Sequence, residues 1–434
     1  MSPFEIGTIS ILLIVGLIYV GLYVPIALGV VSFIGIWLIR DNATLSMNLL
    51  KIAISDSVTE YAFATIPLFT FMGLVVSRAG LGTDIYSVMN RVFGRMQGGV
   101  GMATVGANAM FAAVTGSSIA SASVFTRVSV PEMLRLNYNP RFAVGVVAGS
   151  SVLGMIIPPS AMLIIYSFVA EQSVGHMFIA GIVPGLLLAA AFVLAIAIMA
   201  RATPGFVGGT AGENGLMRWG VITRRTLPVL SLIALVLGGI YAGFFTPVEA
   251  GAVGAAAALL LAVLARRMSL RAFWQTLIET GHITANILFL ITAASMYSRM
   301  LGFAGLPNEL GAILEASQLD FFWVMVAYVL LMLFLGTLLD TASIILIVVP
   351  LFLPLVEPMG MSLIWFGIVT VIGAEIGLLT PPLGLSCFTI KATLNDQRIA
   401  LKDVFIGALP FALVMLVVLI LIIRFPILST GLLP

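Results

Sequence analysis

Gly154-Met-Ile-Ile-Pro-Pro-Ser-Ala-Met-Leu163 returns 223 positions later as Gly377-Leu-Leu-Thr-Pro-Pro-Leu-Gly-Leu-Ser386. The register holds without a gap well beyond these two stretches. Ser117 meets Asp340, Ser118 meets Thr341, Pro131 meets Pro354 and Phe142 meets Trp365. One unit of about 140 residues is therefore present twice. Each copy sets a Pro-Pro pair inside an apolar segment. Proline has no N–H and its ring clashes with the carbonyl four residues earlier, so an ordinary helix stops there. In lipid such a break survives only where protein or a polar cavity satisfies the freed groups. Paired breaks at corresponding places in two halves of a chain point to a transporter's binding site.

Composition supplies the solvent. The 434 residues are 61% hydrophobic and 9% charged, with mean hydropathy +1.19, against about a quarter charged in soluble domains. The chain reads as an all-α polytopic membrane protein. About ten spans are long enough to cross: 6–22, 24–39, 57–77, 142–172 (broken), 177–200, 226–245, 249–266, 282–301, 362–390 (broken) and 402–423. The start has no basic stretch before its apolar run, so no cleaved signal is expected. A single cysteine, Cys387, excludes a disulfide framework and any multi-cysteine metal site, and no transition metal is expected. His176 and His282 are placed at loop edges. The net charge of +2 gives no reason to expect a nucleic-acid partner.

Two shorter apolar pairs, about 99–128 and 321–356, have polar centres and read as re-entrant hairpins. Placing 78–98, 127–141, 201–225, 266–281 and 391–402 in the cytoplasm puts 16 of the 20 basic residues there. Both termini then lie on the outer face. The two copies acquire opposite orientations, one hairpin opening inward and the other outward. Such inverted repeats let one fold present two equivalent conformations. The expected divisions are 1–56 (scaffold helices and an arm helix), 57–200 (repeat 1), 201–281 (linker, scaffold helices and a second arm helix) and 282–424 (repeat 2). The segments of about 42–56 and 268–281, capped by Asn42 or Thr44 and by Ser269, read either as interfacial arm helices or as plain amphipathic loop helices. A further helix, 82–96, is expected to start on Thr83, and Thr203–Gly215 to be only a linker.

Of the 18 acids, only Asp340 and Glu375 fall away from the ends of the predicted membrane segments, where ionisable groups are costly and default to a functional reading. Asp340 stands at the outer hairpin's turn, Gly336-Thr-Leu-Leu-Asp-Thr-Ala-Ser343. The inner counterpart is Thr115-Gly-Ser-Ser-Ile-Ala-Ser121. Each combines a glycine with small hydroxyls and a following helix, whose N–H groups can face an anion. Carbonyls freed near Gly154 and Gly377, ahead of Pro158 and Pro381, can face a cation. Thr380 and Ser160 flank the gaps. As structural alternatives, Ser117, Ser118, Thr341 and Asp340 serve only as helix caps, and Glu375 pairs with a polar group across the bundle. No Lys or Arg lies at a tip or a break, so an anionic substrate would depend on co-bound cations.

No Gly-x-x-x-x-Gly-Lys-Ser/Thr loop exists for ATP. A serine hydrolase at Gly116-Ser117-Ser118 would lack a histidine base in this topology, so no enzyme is expected.

The motifs Ile66-Pro-Leu-Phe69, Thr115-Gly-Ser-Ser-Ile-Ala-Ser121, Pro131-Glu-Met133, Gly154-Met-Ile-Ile-Pro-Pro-Ser160, Phe245-Thr-Pro-Val-Glu-Ala250, Leu339-Asp-Thr-Ala-Ser-Ile-Ile-Leu346 and Thr380-Pro-Pro-Leu-Gly-Leu385 together resemble the large membrane subunit of TRAP (tripartite ATP-independent periplasmic) transporters. The resemblance covers about residues 5 to 425. It implies a sodium-driven, elevator-type carrier in the bacterial inner membrane, importing an organic anion such as a dicarboxylate or a sugar acid. It also implies two partners, a periplasmic substrate-binding protein and a small membrane subunit of about four helices, here expected on a separate polypeptide. Cation sites would fall on Gly116, Ser117 and Ser118 with Gly154 and Pro158, and on Gly336, Asp340 and Thr341 with Gly377, Thr380 and Pro381. Substrate would touch Ser117, Ser118, Ser160, Thr341 and Ser386. Many members have Gly-Leu-Asn where this chain has Gly384-Leu385-Ser386, which removes an amide from a position expected to shape specificity. The alternatives are a binding-protein-independent carrier of the divalent-anion/sodium type, or a channel or scaffold subunit.

Overall fold

Local signals set the helix starts. Ser2 and Glu5 form a reciprocal capping box around Pro3, opening helix Pro3–Tyr19, and Thr246 with Glu249 does the same for Pro247–Leu264. Asn42, Asn139, Ser173, Ser269 and Ser362 each accept a backbone N–H at a helix start. The structure, a computed structural model, describes residues 1–208, 219–317, 321–394 and 396–433. Those residues form an all-helical protein, with one isolated β-bridge between Tyr138 and Gly208.

Six described helices are long and apolar enough to cross a membrane. The first broken segment, Pro140–Ile156 with Ala161–Val169, makes a seventh, bent by 45°. Pro3–Tyr19 and Val24–Arg40 have 17 residues each, at the short end of what a bilayer takes. Both expected hairpins form. The first joins Gly99–Thr115 to Ser118–Arg135, and the second joins Phe321–Gly336 to Thr341–Val356. Both Pro-Pro breaks interrupt helices, the second between Leu363–Gly377 and Leu385–Thr393.

Packing between the copies is exchange-symmetric. The half-helix after the first break, Ala161–Val169, lies on the second arm of the second hairpin, Thr341–Val356. The half-helix after the second break, Leu385–Thr393, lies on Ser118–Arg135 of the first hairpin. Buried polar groups find partners in this core. The Tyr166 hydroxyl donates to the carbonyl of Leu363 at 2.6 Å, and the Trp365 indole N–H donates to that of Ile422 at 2.9 Å.

The structure corrects several expectations. The arm helix 268–281 and the span 282–301 are one continuous helix, Leu270–Phe303, of 34 residues. The boundary drawn at 281/282 therefore cuts a helix, and His282 sits within it rather than at a loop edge. The helix expected at 82–96 runs Leu81–Phe93. It is entered through Gly80 at φ +71°, a left-handed conformation that glycine takes freely, and Thr83 lies inside its first turn. The linker is more than a tether where it is described. Pro204–Val207 is a short helix, and Val207 accepts the N–H of Asn139 at 3.1 Å. The remainder of the linker, 209–215, lies outside the described residues.

Helices Pro140–Ser151 and Leu401–Arg424 cross at Gly145 and Gly407, where a side chain on either residue would collide with the other helix's backbone. Gly145→Val should destabilise the protein by about 1–3 kcal/mol, read as a lowered melting temperature in detergent.

Candidate functional site

The residues singled out in the sequence gather into two clusters, each made of one hairpin tip and the break of its own copy. At the first, Gly116 ends its helix at φ +59°, and its carbonyl accepts the N–H of Ala161 beyond the break at 3.4 Å. Gly154 faces Ser117 so closely that a Cβ would lie 2.7 Å from the Ser117 carbonyl oxygen. Ser160 is fully buried. It donates its hydroxyl to the Met155 carbonyl at 2.5 Å, a carbonyl that Pro159 cannot serve. Ser117 caps the second hairpin helix by accepting the N–H of Ala120 at 3.3 Å, which is the structural role foreseen for it. Ser118 does something else. Its hydroxyl is buried and has no partner among the described residues.

The second cluster repeats the design with carboxyl groups. Gly336 lies against Gly377, where a Cβ would be 2.7 Å from the Gly377 Cα and 2.8 Å from the Ala374 carbonyl oxygen. Thr337 accepts the N–H of Leu383 at 3.2 Å, again tip to break. Thr380 donates both its N–H, at 2.9 Å, and its hydroxyl, at 2.8 Å, to the Gly377 carbonyl. Asp340 caps its helix through the N–H of Ser343 at 3.2 Å and also accepts the Ser343 hydroxyl. Thr341 donates to Glu375 Oε1 at 2.7 Å. Glu375 thus finds its polar group, and that group belongs to the hairpin tip. Its second oxygen, Oε2, is buried with no partner among the described residues, as is the Ser386 hydroxyl. Buried polar atoms are nearly always satisfied in native proteins, so these oxygens mark places where a ligand or water belongs.

A cavity of about 640 Å³ reaches the first tip. Its walls include Thr115, Gly116, Ser117, Met155 and Pro159 together with Arg78, Arg127 and Glu279. Of the expected substrate contacts only Ser117 lines it. Ser118, Ser160, Thr341 and Ser386 are buried and are absent from its lining. No arginine stands at a tip or break, as the sequence indicates, yet Arg78 and Arg127 line the same cavity. A second cavity, of about 810 Å³, holds Asp56, Glu60, Ser298 and Arg299 and ends against Leu346 and Pro350 of the second hairpin.

Sequence reading missed the ion pairs at these cavities. Arg78 binds Glu279 at 2.5 Å, and Arg299 binds Asp56 at 2.7 Å. Each ties helix Leu270–Phe303 to the N-terminal half of the chain. Asp56 and Glu279 stand 223 positions apart, so the repeat offset itself carries the signal. It passes unnoticed because exposed acids on helices are usually solvated.

A duplicated helical fold with two broken membrane segments, each closed by a hairpin tip, defines a polytopic membrane transport protein. The chain belongs to the family described as "Tripartite ATP-independent periplasmic transporter, DctM component", whose profile matches residues 11–428. It is 32% identical to a C4-dicarboxylate TRAP transporter large permease protein of Pseudomonas aeruginosa, over 89% of this chain and 90% of that one. It is 27% identical to the sialic acid large permease protein of Vibrio cholerae, over 95% and 94%. The 2,3-diketo-L-gulonate large permease protein of Escherichia coli is 29% identical over 86% of both. The crystal structure of the Alcanivorax borkumensis YdaH transporter shares the fold, with a TM-score of 0.62 at 14% identity over 88% of this chain and 89% of that one. These relatives are permeases, and the chain is a transport subunit rather than an enzyme.

Thr341→Val would leave the Glu375 carboxyl buried with neither oxygen bonded, a loss of about 1–3 kcal/mol. Melting in detergent should show it, and Ser343→Ala, beside the more exposed Asp340, should cost less.

Proposed function

We propose that this chain carries an organic anion across the bacterial inner membrane by sodium-coupled, elevator-type motion. A periplasmic binding protein would deliver the substrate and a small membrane subunit would complete the complex. One observation carries the reading. Each break is covered by its own hairpin tip, and both clusters keep buried oxygens that have no partner among the described residues, at Ser118 in one and Glu375 in the other. Sodium fits such sites. Serine hydroxyls, carbonyls ahead of the prolines and a carboxylate are hard oxygen donors, and two carboxyl groups near the midplane, Asp340 and Glu375, are a charge that a cation offsets.

The relatives' substrates, C4-dicarboxylate, diketogulonate, sialic acid and isethionate, are all organic anions. An anion at the tips would meet helix N-termini and bound cations, with Arg78 and Arg127 along the approach. The exchange-symmetric packing fits a two-fold relation of the two copies, and the distribution of basic residues in the sequence is what favours an inverted one. The copies also differ in a way that fits a one-sided state. The first break is buried from Ser151 to Ser160, whereas Pro381, Pro382 and Leu383 of the second are exposed, and the cavity beside Arg78 reaches the first tip while the one beside Arg299 ends at Leu346 and Pro350.

Uptake into proteoliposomes containing this chain, a small subunit and a binding protein from the same operon should require a sodium gradient. Replacing sodium with choline should abolish it. Asp340→Asn and Ser118→Ala should raise the sodium concentration for half-maximal uptake about tenfold or more, as losing one interaction of roughly 1.5–3 kcal/mol with a charged group implies. Uptake that persists in choline would refute sodium coupling, and uptake without the binding protein would favour the binding-protein-independent carrier.

A further inference from the structure

Away from both clusters, helices Leu81–Phe93, Trp219–Tyr241 and Pro247–Leu264 enclose a cavity of about 560 Å³ lined by three arginines, Arg224, Arg225 and Arg267, and one acid, Asp84. Among the described residues of the lining, three positive charges face one negative. Asp84 organises the ring. It binds Arg267, and Arg225 approaches its other oxygen at 3.8 Å while donating to the Ser87 hydroxyl at 2.7 Å. Arg267 also donates to the Ala79 carbonyl at 3.2 Å. Arg224 has no acidic partner among the described residues. Both bridged arginines remain about 40% exposed, whereas the Asp84 side chain is only 14% exposed. The guanidinium forks are thus pre-positioned and still able to accept an anion.

The rest of the wall is hydrocarbon. Val221, Arg224, Arg225 and Pro228 share one helical face. Opposite them stand Leu261 and Leu264, and Leu264 is 71% exposed. One turn deeper on its face Leu260 is 58% exposed, and Leu227, one turn beyond Arg224, is 65% exposed. Both helices are long and apolar enough to cross a bilayer, and the arginines lie at one end of each. A pocket with a cationic floor at the polar boundary and an apolar wall running into the membrane matches an amphiphile with an anionic head. Arginine binds phosphate through paired N–H groups, and basic pockets between spans hold anionic lipid heads.

We propose that this cavity binds the headgroup of an anionic glycerophospholipid such as phosphatidylglycerol, with an acyl chain lying along Leu264 and Leu260. The lipid would tie the spans Trp219–Tyr241 and Pro247–Leu264 to Leu81–Phe93, the helix that leads into the first hairpin and packs along its first arm.

Arg224 makes the test clean, because changing it breaks no ion pair to a described residue. The full chain in mixed micelles, read by native mass spectrometry and thermal shift, should retain phosphatidylglycerol in preference to phosphatidylcholine. At roughly 1 kcal/mol per basic residue, Arg224→Gln should weaken retention about fivefold and Arg224→Glu about 25-fold. Arg398→Gln, a remote exposed arginine paired with Asp396, should leave retention unchanged. Stabilisation by millimolar inorganic phosphate equal to that by the lipid would reduce the site to a free-anion site and overturn the lipid assignment. Equal loss in the Arg398 variant, or no loss in Arg224→Glu, would also overturn it.

Discussion

Backbone groups inside a bilayer have no water to turn to, and the structure is arranged around that fact. Each Pro-Pro pair strips N–H groups from an apolar segment, and the carbonyls and chain ends it frees must be met by protein. The nearest protein is the hairpin tip of the same copy. Gly116 supplies a carbonyl to Ala161, and Thr337 supplies one to Leu383. For a tip to come that near, the facing positions must lack side chains, as Gly154 does opposite Ser117 and Gly336 opposite Gly377. The break and its cover are therefore one device. The tip that covers each break also brings a small buried hydroxyl with it, Ser118 in the first cluster and Thr341 in the second.

That coupling explains why the site is assembled from residues far apart in sequence and yet was legible in it. A proline pair in an apolar run cannot be a plain helix, and its recurrence at a fixed offset ties the two breaks together in the sequence itself. Capping chemistry was equally local, so Asn42 and Ser269 were found where expected. Side-chain partners were harder to foresee. Whether Ser118 or Ser117 takes the cap is decided by the backbone conformation after Gly116, where Ser117 is extended and Ser118 already helical. Glu375 meeting Thr341 depends on how Leu363–Gly377 is rotated against the second hairpin, which no local pattern encodes.

The continuous helix Leu270–Phe303 was missed for a related reason. Gly281, His282 and the nearby Glu279 look like the edge of a membrane segment, and a charged amphipathic stretch before them looks like a separate helix. An isolated glycine inside a helix costs only about 1 kcal/mol relative to alanine, and long helical runs on both sides override it.

This helix also measures the distance between the two cavities. Glu279 and Arg299 are 20 residues apart on it, which at 1.5 Å per residue is about 30 Å, the thickness of the hydrocarbon core. The Arg78–Glu279 and Asp56–Arg299 pairs therefore sit near opposite faces of the membrane, one at each cavity. Both are formed at once. They fix one strut to helices Thr65–Arg78 and Ala43–Thr59 on both faces. What distinguishes the two sides is depth. The cavity beside Arg78 reaches Gly116 and Ser117, whereas the one beside Arg299 stops at Leu346, more than a turn beyond Thr341. The strut is thus pinned at both ends, while the two cavities beside it differ in how near they come to a hairpin tip.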